Sequence, residues 1–182
     1  MPTSIILRDE RLEGGATPVS LAGDFCLNLG VGKYSPLVNT FIRARGFASA
    51  FSDMNNLYIM AHSYCRDIKR APRWGGGVEL GLETLNRQNV SVMGLLQGVF
   101  KSIVIFSCCT GYTFPGEEQS PYDGVQFCRD IAIVTGTPVI AATDLQEYNS
   151  ELFLHWGNWE GKIYKFYPDG RVKAVPADYL AN

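Results

Sequence analysis

Leu57-Tyr58-Ile59-Met60-Ala61-His62 and Ile103-Val104-Ile105-Phe106-Ser107-Cys108-Cys109-Thr110-Gly111 are two short apolar runs, the first closed by a histidine and the second by cysteines. Their length and their polar or turn-forming brackets read as buried strands. Each run delivers its reactive residue to its C-terminal end. In open α/β sheets that edge is where ligands bind, so a base and a nucleophile carried there point to a thiol–imidazole site. The chain holds two histidines, so the choice of base is narrow.

Working outward, Ser4-Ile5-Ile6-Leu7-Arg8 reads as a strand, while Val19 to Asn28 is apolar without a decisive period. Ser35 before Pro36 suggests an N-cap followed by proline at the first helical position. Leu37, Val38, Phe41 and Ile42 then repeat with helical spacing as far as Arg45-Gly46. Tyr64 to Gly77, with Pro72 and three consecutive glycines, reads as a loop. Val78 to Asn86 and Val92 to Phe100 suit helices. Tyr122 to Thr135 is a helical pattern ending at Gly136, and Pro138-Val139-Ile140-Ala141-Ala142-Thr143 reads as a third parallel strand. Two alternating segments, 162–167 and 171–175, flank Pro168-Asp169-Gly170, a hairpin signal. Strands alternating with helices imply right-handed crossovers, a mainly parallel sheet and helices on both faces. The expected architecture is a single α/β domain over residues 1–182, a three-layer sandwich with a C-terminal β-hairpin.

A chain of 182 residues with 46% hydrophobic and 19% charged residues is globular, neither disordered nor fibrous. A net charge of -2 offers no basic surface for phosphates, so nucleic acid is not an expected partner. No apolar run reaches the length of a membrane span, and the N-terminal residues are too soon charged for a signal peptide. The expected setting is cytoplasmic, or delivery without an N-terminal signal peptide, with no membrane partner. Five cysteines in a domain of this size argue against a disulfide framework. Their scatter gives no zinc spacing, so no metal and no cofactor is expected.

A thiol attacks well only as thiolate, and a neighbouring imidazole can take its proton and later pass it to a leaving amine. His62 with Cys108 or Cys109 fits this role. Backbone N–H groups at the two strand ends, such as that of Ser63, are available to a developing oxyanion. His155 is the competing base, but the aromatic segment Phe153 to Trp159 reads as a packing site. The glycine triplet lacks P-loop and dinucleotide spacing, so it reads as a mobile active-site loop. No G-x-S-x-G elbow is present, which removes the ordinary serine hydrolase.

At this point the chain resembles the caspase-like cysteine peptidases, in particular the CHAT domains. Those proteins carry an apolar strand ending in His-Gly, a helical segment, and an apolar strand ending in Ser-Ala-Cys-x-Thr-Gly. Here the second motif reads Phe106-Ser107-Cys108-Cys109-Thr110-Gly111. The Cys-x-Thr-Gly match places the nucleophile at Cys108, and the caspase form Gln-Ala-Cys-x-Gly would align Cys109. The likeness spans about Asn56 to Asp144 and departs at Ser63, where the family has glycine.

The resemblance implies a peptide-bond hydrolase with His62 as base and acid, Cys108 as acyl carrier and the Ser63 N–H at the oxyanion. It implies a protein or peptide substrate, selected by loops at the sheet edge. Arg66, Asp67 and Arg73 after the histidine, and Glu117, Glu118 and Asp123 after the cysteines, are the candidates for that selection. Two other readings stand beside it: a catalytically inactive scaffold that binds protein partners, and a thiol-dependent amidase or deamidase.

Overall fold

The computed structural model describes residues 3–12, 20–21, 24–68, 71–146 and 159–179, with 20–21, 65–68 and 71–74 described in their backbone only. Along the chain run β1 (Thr3–Asp9), β2 (Ser20–Leu21), β3 (Asp24–Val31), α1 (Leu37–Ala48), β4 (Met54–Met60), β5 (His62–Ile68), β6 (Ala71–Leu80) and β7 (Glu83–Asn86). A 3₁₀ helix (Val90–Leu96) follows, then β8 (Ser102–Phe106), α2 (Gly124–Thr135), β9 (Val139–Ala142), β10 (Ile163–Phe166) and β11 (Val172–Val175).

Eight strands form one sheet in the order β11-β10-β9-β8-β4-β1-β3-β2. β3, β1, β4, β8 and β9 are mutually parallel, and β2, β10 and β11 are antiparallel to their neighbours. Numbered along the chain, the parallel strands follow the doubly wound order 2-1-3-4-5, whose reversal point lies between β1 and β4.

Alternate residues explain why these runs are apolar throughout. Ile5, Leu7, Leu57, Ile59, Ile103 and Ile105 face one core together with Phe41, Met93, Leu96, Phe127 and Ile131. Ile6, Tyr58, Met60, Val104, Phe106 and Ile140 face the other. A strand buried on both faces has no polar side to show. Among the described residues the helices all lie on the first face. The second is covered by Leu12, Trp159, Val175 and Tyr179, so the expected helices on both faces are seen on one only.

At the N-terminal edge the buried Asp24 carboxylate accepts the Ser4 hydroxyl at 2.5 Å and the Asn55 and Asn56 amides at 2.7 and 3.2 Å. Ser102 in turn donates to Asn56. One carboxylate thereby ties β1, β3, β4 and β8 in register.

The region between His62 and Phe100 departs from the sequence expectation. Tyr64 to Gly77 is not a loop: β5, β6 and β7 form a second, antiparallel sheet. Val78 to Asn86 is not a helix but the end of β6, a turn at Gly81-Leu82, and β7. Val78, Leu80 and Leu85 are buried while Leu82 is 57% exposed, so the period is that of strands and Leu82 caps a turn. Gly81 has φ 70°, and a side chain there would strike the Ser35 carbonyl. Its N–H donates to Asp9 at 2.7 Å, which pins the β6–β7 turn to the end of β1. Val92 to Phe100 is likewise no α-helix; the 3₁₀ turn buries Met93 and Leu96, three apart.

Both α-helices sit where expected, with different caps. Ser35 does not cap α1; Pro36 is its N-cap, and the Leu37 N–H is taken at 2.9 Å by Glu83 from β7. The helix continues past Arg45-Gly46 to Ala48. α2 is capped by Asp123 and stops at Gly136 in the left-handed conformation.

Candidate active site

β4 and β8 pair in parallel from Asn56 opposite Ser102 to Met60 opposite Phe106. His62 and Cys108 each follow two residues after the ends of these strands, at the C-terminal edge of the sheet and one strand from its reversal point. Beyond Met60 the chain leaves the large sheet and opens β5, with His62 directly opposite Glu79 of β6. The His62 side chain is exposed, and among the described residues no hydrogen bond joins it to either thiol. Glu79 is itself approached by Arg11 at 3.8 Å.

After Phe106 the chain makes a tight turn through Ser107-Cys108-Cys109-Thr110-Gly111. Cys109 takes φ 51°, a left-handed conformation uncommon outside glycine. The turn is held on several sides. Cys109 N–H donates to the Asp144 carbonyl at 2.8 Å and Gly111 N–H to the Ala142 carbonyl at 2.8 Å, extending the β9 edge past its last strand residue. The Thr110 hydroxyl reaches the Ser107 carbonyl at 3.2 Å. Gly124 opens α2 as glycine because a side chain there would lie 2.6 Å from the Thr110 carbonyl.

The glycine triplet belongs to this turn, not to a mobile loop. The β5–β6 register advances two residues from Ser63 to Cys65 while β6 advances four from Val78 to Trp74, so Gly75-Gly76-Gly77 form a bulge. Gly75 (φ 124°) crosses the turn so closely that a side chain would meet the Cys109 carbonyl at 2.6 Å. Gly76 (φ 67°) lies against the Tyr122 carbonyl in the same way. Tyr64 stacks on Tyr122 at 5.8 Å beside this crossing.

The two adjacent cysteines occupy different environments. Cys108 is half-buried, and its sulfur receives the Gln146 N–H at 3.4 Å and points its S–H to the Gln146 carbonyl at 3.7 Å. Cys109 is 9% exposed, and burial, with the nearby Cys108 and Asp144, pushes its thiol up to about 11. A thiol that stays protonated and covered is a poor nucleophile, so the environment favours Cys108 for reactivity. Cys128 is fully buried under the turn, its thiol pushed up by burial and aimed at the Thr110 carbonyl at 3.7 Å. Cys26 is buried in the opposite core.

Ser63 is buried in the ladder opposite Val78, and among the described residues its hydroxyl has no partner; the hydroxyl of Ser107, just before Cys108, is in the same condition. Arg66 and Asp67 lie four and five residues beyond His62 in β5, about 13 to 16 Å along the strand, opposite Arg73 and Pro72. Their side chains, with that of Arg73, lie outside the described residues, as does His155. Glu117 and Glu118 serve their own loop, accepting from the Ser120 hydroxyl and the Gly116 N–H at 2.8 Å each.

Asp123 is engaged within its own chain: its carboxylate accepts the Thr113 hydroxyl at 2.6 Å and the N–H groups of Gln126 and Gln119 at 2.9 and 2.8 Å. Burial raises its pKa, but these hydrogen bonds outweigh it and hold the carboxyl below its usual range. An acidic residue ahead of a helix is a cap signal as much as a binding signal, and here the cap takes it. Sequence reasoning did not find Gln146, whose side chain also closes the β9–β10 connection on Glu160 at 3.0 Å. A backbone donor carries no residue signature.

Compared with protein-family models, with curated proteins and with solved structures, the chain finds no match. Among the described residues no helix is long and apolar enough to cross a membrane, and no three His, Cys, Asp or Glu side chains cluster as a metal site would need.

Proposed function

We propose that the chain is a cysteine-dependent peptide-bond hydrolase of the caspase-like, CHAT-like type, with His62 and Cys108 as its dyad. The observation that supports this reading is that an exposed imidazole and a half-buried thiol each follow two residues after the ends of the paired strands β4 and β8, at the sheet's C-terminal edge. His62 takes the Cys108 proton, and the sulfur attacks the substrate carbonyl. The oxyanion that forms is met by backbone N–H groups, that of Ser63 by the family resemblance. As the C–N bond breaks, the imidazolium gives its proton to the leaving amine. Water, deprotonated by the same imidazole, then hydrolyses the thioester and frees the thiol. The hydrogen bond absent between the two groups forms as substrate closes the site, since unliganded catalytic contacts are often long.

Alkylation with iodoacetamide tests the dyad. Cys108 is expected to react first, at a rate that falls about tenfold or more in His62→Ala, while Cys109→Ala reacts like the parent. Equal labelling of all thiols, or no effect of His62→Ala, overturns the dyad and leaves the protein-binding scaffold. A peptide-library digest, silent in Cys108→Ala, separates a peptidase from a side-chain amidase.

A further inference from the structure

A cleft of about 700 Å³ opens between α2, the β10–β11 hairpin and the turn after β8. That is the size of sites that take small organic molecules, and Cys108 is not in its wall. Tyr112, Tyr164 and Phe166 line it, with two cations, Arg129 from α2 and Lys162 ahead of β10. Neither cationic side chain has a partner among the described residues, and the Arg129 Nε is buried without a hydrogen bond. With no partner among the described residues, the two cations leave the cleft wall able to take an acceptor from a ligand.

The wall defines that acceptor. Among the described residues Asp144 is its one carboxylate, and it already accepts the Thr143 hydroxyl at 2.8 Å. Two positive charges and one negative leave a balance of +1, which suits a monoanion and disfavours a phosphate dianion. A guanidinium fork matches a carboxylate, and the surrounding rings need an apolar body. We infer that this cleft is a binding site for a monocarboxylate carried on an aromatic or branched apolar body, gripped by Arg129 with Lys162 at the mouth. The inference is independent of the hydrolase reading. The site shares a wall with the reactive turn, because the Asp144 carbonyl holds the Cys109 N–H.

Titration of the ¹⁵N-labelled protein with 3-phenylpropanoate, followed by amide chemical shifts, tests it. Saturable shifts are expected at Gly111, Tyr112 and Gly161, with a Kd in the millimolar range or tighter. The neutral amide 3-phenylpropanamide should bind about fivefold or more weakly, and Arg129→Gln should weaken the acid by a similar factor. Cys108→Ala should bind as the parent does, which separates this site from the dyad. Acetyl-glycyl-phenylalanine, with a free C-terminal carboxylate, distinguishes a peptide end from a free acid by whichever binds tighter. Equal binding of acid and amide, no saturable shifts up to 20 mM ligand, or binding lost in Cys108→Ala but kept in Arg129→Gln overturns the inference. Should Arg129→Gln not fold, Lys162→Gln and the acid–amide comparison on the parent decide it.

Discussion

Single residues at the site trade stability against placement. The Ser63 hydroxyl is buried beside the proposed base with no partner, where the resembled family has glycine. An unsatisfied buried hydroxyl costs about 1 kcal/mol or more, so Ser63→Ala should raise the urea midpoint by about that free energy with unchanged m-value. Ser107→Ala should act in the same direction. If either lowers stability, the hydroxyl is satisfied by ordered water and belongs to the structure. Glycines separate by the same logic. Gly76 and Gly98 both have positive φ, 67° and 71°, but a side chain at Gly76 collides with backbone and one at Gly98 meets nothing. Gly98→Ala should therefore cost about 1 kcal/mol, and Gly76→Ala about 3 kcal/mol or more, by chemical denaturation.

Among the elements, β1, β4, β8 and β9 were legible because burial on both faces leaves unbroken apolar runs, as in Ile103 to Phe106, whereas the half-exposed parallel strand β3 was not. α2 was legible because amphipathic spacing ends at a glycine that adopts the left-handed cap. The second sheet was not. Val78, Leu80, Leu82 and Leu85 fit a helical face on paper, and only the exposure of Leu82 reveals the turn. Gly75-Gly76-Gly77 signalled a loop because the carbonyls that Gly75 and Gly76 pass, those of Cys109 and Tyr122, lie more than thirty residues away. The C-cap glycine of α2 was readable by residue type but the N-caps were not: Pro36, not Ser35, precedes α1, and the Leu37 N–H is taken by Glu83 from β7. Removing that cap in Glu83→Ala should loosen α1 and the β6–β7 turn together, seen as faster amide exchange at Leu37. Asp123→Ala should cost about 1 to 2 kcal/mol, because the carboxylate caps α2 and also anchors Thr113 and Gln119.

Across the whole molecule, two buried carboxylates link stability to pH. Asp9, at the end of β1, is raised by burial but brought below its usual range by Arg11 and the Gly81 N–H; Asp123 is lowered by its own hydrogen bonds. A carboxyl whose folded pKa lies below its unfolded value contributes fully above the unfolded pKa, near 4. That contribution is lost as pH falls through the folded pKa. Stability should thus drop between about pH 5 and pH 2, and the drop should be shallower in Asp9→Asn or Asp123→Asn. A steepness equal to the parent's would show that other carboxylates govern acid unfolding. The same long-range stitching bears on Cys108. Cys108 stands on a turn clamped from above by a glycine strand and from the side by the residues after β9, segments distant from it in the chain. Cut out as a peptide, residues 103–111 would hold an ordinary cysteine. On the proposed dyad, release of the small sheet would free the turn that carries Cys108 while the large sheet stood, so the hairpin that follows the histidine is the latch of that turn.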